Sequence, residues 1–281
     1  MKTKLRLRAA TAGQIGALAV VALVAYGLKR HYADATTDAL SWILTPTAHV
    51  VGLVTGVAFA AVPGEGYFSA ERMFLIEKAC AGVNFMIAAF AMVAFALLHH
   101  ARSFRGSAAV VGLSLLASYV AAIVVNAVRI VIAMWLAAHP VTLSSLSAGE
   151  IHRLEGIIVY FGGLVLLHEL VRRADRVSVR HLALPLACYY AITLAVPFLN
   201  GSLRLRSGQA AQAGDVFLTH ALVVLLVPLV LIGGVCAILQ IAQRVKAAVQ
   251  LTTTVTGVAA APSSPPSGRG MRNRWPSGDT A

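Results

Sequence analysis

Apolar residues fall along this chain in long unbroken blocks, separated by short polar stretches and few isolated charges. A helix that crosses a bilayer needs about 20 mostly apolar residues, because it rises about 1.5 Å per residue through a hydrocarbon core of about 30 Å. Blocks of that kind cover Ala9–Leu28, Val83–Leu98, Ser107–Trp135, Leu154–Val171, Leu182–Leu199 and Val216–Ile241. A seventh block, Leu40–Val62, is weaker. Pro46 interrupts it, and Ser41, Thr45, His49, Gly52 and Gly56 recur at steps of four, four, three and four, which makes one weakly polar helical stripe. The pattern predicts an all-α, polytopic membrane protein of about six transmembrane helices, with Leu40–Val62 as an interfacial or re-entrant helix. The membrane portion extends over residues 1–250.

Composition narrows the class further. Of 281 residues, 58% are hydrophobic and only 12% charged, with a mean hydropathy of +0.78. Soluble domains carry about twice that share of charge. The 23 Lys and Arg against 11 Asp and Glu sit in short runs between apolar blocks, a topology signal and not a nucleic-acid face. Three cysteines are too few for a disulfide framework. The first block follows Lys2, Lys4, Arg6 and Arg8 but is too long for a signal-peptide core, so it is expected to remain as an anchor. Residues 251–281, rich in Ser, Pro, Gly and Ala, are expected to form a disordered cytoplasmic tail.

Orientation follows from basic residues in short loops. Arg102 and Arg105, then Arg172, Arg173, Arg176 and Arg180, then Arg244 and Lys246 mark three cytoplasmic segments, while Ala137–Glu150 holds no Lys or Arg and belongs outside. Parity then puts Pro63–Ala81 outside. The basic N-terminus agrees only if Leu40–Val62 does not cross; seven spans with an external N-terminus is the alternative.

With six spans, three chemically capable side chains reach one depth. Cys80 precedes the second span at the outer surface. About 20 residues after Ser107 the third span arrives at the same boundary, near Asn126 and Arg129, and His152 opens the fourth. Cys80 stands where a helix dipole and unpaired N–H groups favour an anion, with Lys78 near in sequence. Arg129 alone is compatible with snorkelling, but an ionisable residue inside an apolar helix is a functional candidate. Cys188 and Cys236, in mid-span, suit small apolar fillers. Glu77, Arg153 and Glu155 fit solvated boundary charges. Neither His99–His100 nor His168–Glu169 has a partner at metal spacing, so neither a metal nor a cofactor is expected.

Cys80-Ala81-Gly82-Val83-Asn84-Phe85, Asn126-Ala127-Val128-Arg129-Ile130, and His152 followed by Gly156 and Phe161 together resemble the exosortase/archaeosortase family, in a form similar to exosortase K. The resemblance covers Leu40–Phe161; Ala81 stands where many members have Ser. It implies a membrane-embedded cysteine transpeptidase of a bacterial inner membrane, working at the outer face on exported proteins. Their C-terminal sorting signal would comprise a short motif, a transmembrane helix and a basic cluster. Cys80 would be the nucleophile, Arg129 the stabiliser of thiolate and oxyanion, His152 the proton carrier, and Asn126 an orienting or substrate-binding residue. Two other classes stay open. One is a transporter or channel using Arg129 as an anion site; the other is a non-catalytic assembly factor for surface polysaccharide export.

Overall fold

A computed structural model describes residues 2–98, 101, 103–139, 147–172, 182–195, 221–234, 237 and 240. Almost all of them lie in one compact unit, Met1–Gly234; a second unit is Val235–Ala281. The expected tail 251–281, Cys236, Arg102, the run Arg173–Arg180, and parts of the last two expected spans fall outside the described residues.

Helices dominate the fold. In chain order they are α1 (Lys2–Asp34), α2 (Ser41–Thr55), α3 (Val83–Leu98), α4 (Phe104–Ala138), α5 (Ala148–Arg172) and α6 (Ala183–Tyr190), followed by α7 (Ala221–Gly234). Among the described residues, three helical segments are long and apolar enough to cross a membrane: Lys78–Leu98, Phe104–Ala138 and Gly149–Arg172. Ala183–Ala195 and Ala221–Gly234 are apolar but shorter.

The α3 segment is the hub. Its apolar window is 72% buried against 17% for α4 and 33% for α5, as expected of a helix that is hydrophobic all round. On α4 two stripes divide the labour. Ser107, Ser114, Ser118, Ala122, Asn126 and Ala133 are buried, and such small residues let helix backbones approach closely. Leu113, Leu116, Val120, Val124 and Val128 are exposed at steps of three and four, the face that lipid would cover.

Helix α1 lies along α3 and is tied to it at both ends. Gln14 Nε2 donates to the Leu98 and Ala101 carbonyls (3.1 and 3.0 Å). Eighteen residues later Tyr32 Oη donates to the Lys78 carbonyl (3.4 Å), a span of about 27 Å along a helix. Lys78 Nζ returns two bonds to the Ala33 and Ala35 carbonyls (3.2 and 2.7 Å), capping the end of α1. The N-terminal half of α1 therefore meets the α3–α4 turn, and its last turn meets the segment that carries Cys80.

The block Leu40–Val62 is not one long helix. Its helix, α2, has 15 residues, about 22 Å and short of a crossing. Pro46 lacks the N–H that would bond the Trp42 carbonyl, and that orphaned oxygen accepts instead from Tyr119 Oη on α4 (2.8 Å). After Gly56, which closes α2 in the left-handed region at φ 71°, the chain forms an antiparallel meander of β1 (Ala60–Val62), β2 (Gly66–Ser69) and β3 (Phe74–Ile76). This corrects the all-helical expectation. Strands of three and four residues are too short to leave a period-two signature in the sequence. The Asp38 carboxylate accepts from the Gly64 N–H (2.9 Å), and Thr45 and Tyr67 share a hydroxyl hydrogen bond, so the sheet is fastened to α2. Three members of the polar stripe, Thr45, His49 and Gly52, line a hollow of about 370 Å³ there with Phe59 and Tyr67.

Candidate functional site

The site forms where β3 runs through a short 3-10 turn, Lys78–Cys80, into α3. Gly82 makes the bend at φ 68°, a conformation that strains other residues. A side chain there would also press on Asn126, whose Cγ lies 3.0 Å from the position a Cβ would take. The closeness has a use: Asn126 Nδ2 donates to the Cys80 carbonyl. Asn126 is wholly buried, so its remaining acceptor also needs a partner, and Tyr160 Oη on α5 donates to Oδ1 at 2.8 Å.

Arg129 lies one turn beyond Asn126 on α4 and is 9% exposed. Its Nη1 donates to Tyr160 Oη at 3.4 Å, and its guanidinium carbon stands 5.3 Å from the Tyr160 ring centre, a cation–π distance. Its Nη2 is 2.9 Å from His152 Nε2. The Glu155 carboxylate lies 3.7 Å from both Arg129 Nε and His152 Nδ1. Gly156 makes this possible, since a Cβ there would come within 3.1 Å of Arg129 Nε.

Asn126, Arg129 and His152 are thus joined in one network, as their common depth in the sequence predicts. Cys80 joins differently. Its backbone carbonyl is the bonded atom, the side chain is buried, and among the described residues no hydrogen bond links the thiol to His152. Lys78, close to the cysteine in sequence, is spent on the end of α1 and stacks over Tyr32 at 5.5 Å.

Glu155 corrects the sequence reading. It is not a solvated boundary charge: its side chain is only 5% exposed. Tyr160 went unnoticed although it follows His152 by two helical turns on one face. Lys29 was also missed; its Nζ donates to Asn84 Oδ1 at 2.7 Å.

A cavity of about 320 Å³ opens beside the network. Lys29, Arg129, His152 and Arg153 make its wall basic, and Phe85, Ile157, Leu164 and Val224 make the remainder apolar. Such a space suits a polar or anionic group carried on an apolar chain. Comparison of the chain with family models, with curated proteins and with solved structures gives no match.

Proposed function

We propose that this protein is a membrane-embedded cysteine transpeptidase or peptidase that removes the C-terminal sorting signal of exported proteins, as the exosortase-like motifs imply. In this reading the chain crosses a bacterial inner membrane six times, α2 and the sheet remain on the outer side, and the site faces outward. The observation that carries the reading is the continuous link from the Cys80 backbone carbonyl through Asn126, Tyr160 and Arg129 to His152. An apolar protein has little structural reason to bury Asn126, Arg129 and Glu155 beside the half-exposed His152, because each polar group taken from water needs a partner.

The chemistry follows from the donors. A guanidinium only donates, so His152 Nε2, which faces Arg129 Nη2, is the lone-pair nitrogen of a neutral imidazole. With substrate in place it takes the proton of the Cys80 thiol, and the sulfur adds to the scissile carbonyl carbon. Arg129 stabilises the resulting oxyanion. As the tetrahedral centre collapses, the C–N bond breaks and the imidazolium returns its proton to the departing amine, leaving a thioester. An acceptor amine, or water, then gives a proton to His152 and displaces the sulfur.

The wall of Lys29, Arg129, His152 and Arg153, with Cys80 outside the cavity lining, favours one other reading, an anion site in a transporter or assembly factor without a nucleophile. Processing of an epitope-tagged exported protein ending in a motif, a transmembrane helix and a basic cluster separates the two. Cys80→Ala should abolish cleavage at normal protein abundance, and Cys188→Ser should leave it intact. Unchanged cleavage with Cys80→Ala would overturn the cysteine-nucleophile reading.

A further inference from the structure

We propose that Glu155 is a positioning residue, which holds His152 as the Nδ1-protonated imidazole and keeps the Arg129 guanidinium in place beside it. The proposal rests on the transpeptidase reading for its purpose, though not for its geometry.

Three observations carry it. First, the tautomer is dictated by chemistry: Arg129 Nη2 cannot accept a hydrogen bond, so Nε2 of His152, 2.9 Å away, must accept, and the ring proton resides on Nδ1. Second, the group that Nδ1–H faces is the Glu155 carboxylate, at 3.7 Å. Third, the same oxygen of that carboxylate faces Arg129 Nε, also at 3.7 Å. Arg129 Nε and both carboxylate oxygens are buried with no hydrogen-bond partner among the described residues. An ion pair held just beyond hydrogen-bond length is costly to desolvate and poor as a structural fastener. Its value lies in direction: small closure on either side completes a bond to the imidazole or to the guanidinium.

Among the described residues, the charged and titratable groups around the imidazole and the cavity it lines are Arg129 on α4, Lys29 on α1, Arg153, Glu155 and Tyr160 on α5, and Tyr189 on α6. All the charged ones except Glu155 are basic. It is therefore the one acidic side chain in the set, placed to orient Nδ1–H and to support the imidazolium that forms during turnover, the part a third residue plays behind a catalytic histidine.

Two substitutions of similar size separate orientation from packing. Gln at 155 keeps an acceptor oxygen; Leu fills the space with none. The full chain, labelled with ¹⁵N-histidine in detergent, reports the tautomer by long-range ¹H–¹⁵N correlation, with His152→Gln used to assign the signal. Wild type and Glu155→Gln should show His152 as the Nδ1–H form, and Glu155→Leu, which frees the Arg129 guanidinium from its place beside Nε2 as well as leaving Nδ1–H without an acceptor, should show a mixture of tautomers. In the processing assay Glu155→Leu should lose activity at least about tenfold, towards the roughly 10⁴-fold loss known where the residue behind a catalytic histidine no longer holds its tautomer, with Glu155→Gln intermediate. An unchanged tautomer in Glu155→Leu overturns the proposal, as do equal activities of the Gln and Leu variants. The spectrum needs no substrate, so it is independent of whether Cys80→Ala abolishes cleavage, which tests the transpeptidase reading itself.

Discussion

Arg129 is held from four directions, by Tyr160 Oη, the Tyr160 ring, His152 and Glu155. A planar fork meets these demands and an ammonium does not. Arg129→Lys should therefore fall as far as Arg129→Ala, about 10²–10³-fold, the range for loss of one oxyanion donor. A Cys80→Ala/Arg129→Ala double variant should be scarcely worse than Cys80→Ala, because groups that act as one unit lose activity non-additively. Gly156→Ala tests the same fit more gently. Its new methyl would displace the guanidinium from Glu155 and His152, so cleavage should drop with little change in protein abundance on a blot. Sequence made Cys80, Asn126, Arg129 and His152 legible because each is a polar group at one calculable depth in or beside an apolar block. It hid Glu155 because helix depth says nothing about rotation: a carboxylate one turn from a boundary has the same sequence whether it faces water or a neighbouring helix. Tyr160 was hidden because its ring is as compatible with lipid as with a hydrogen-bonded core.

Among the elements, α2 and the sheet are the ones on which the six-span and seven-span readings differ. Helix α2 is short of a crossing, its polar stripe faces a hollow shared with the sheet, and its carbonyl left bare by Pro46 is served by α4. Reporters fused after Asp34 and after Tyr67 should both register the outer side. A cytoplasmic signal at Asp34 with an external N-terminus would establish seven spans. The proline and the stripe of small and polar residues marked this block as unlike the others, and its helix is 15 residues long. The meander did not show in advance, since what fixes it is remote: an Asp38 carboxylate on the Gly64 amide and a hydroxyl pair between Thr45 and Tyr67. The serine stripe of α4 was equally silent, because small buried residues take on meaning only once the neighbouring helices are in place, as where Ser107 Oγ stands 3.7 Å from the position of a Cβ at Gly13 on α1.

At the scale of the molecule, the hub helix α3 is surrounded by α1, α4, α5 and α6, and the site is the place where the first, third, fourth and fifth of the series α1, α2, α3, α4, α5 meet. Truncation after His139 should still yield membrane-inserted protein, detectable by carbonate-resistant sedimentation, yet no cleavage, since His152, Glu155 and Tyr160 are all missing. The link from Cys80 to Tyr160 through Asn126 also has a meaning in time. Chains grow at about 5–20 residues per second, so the cysteine leaves the ribosome roughly 4–16 seconds before the tyrosine that completes its connection. Throughout that interval the thiol exists without the imidazole or the Tyr160–Arg129 clamp. In the transpeptidase reading, a nascent chain is thereby kept inert at least until α5 has been made, with α6 and α7, which also line the cavity, still to follow.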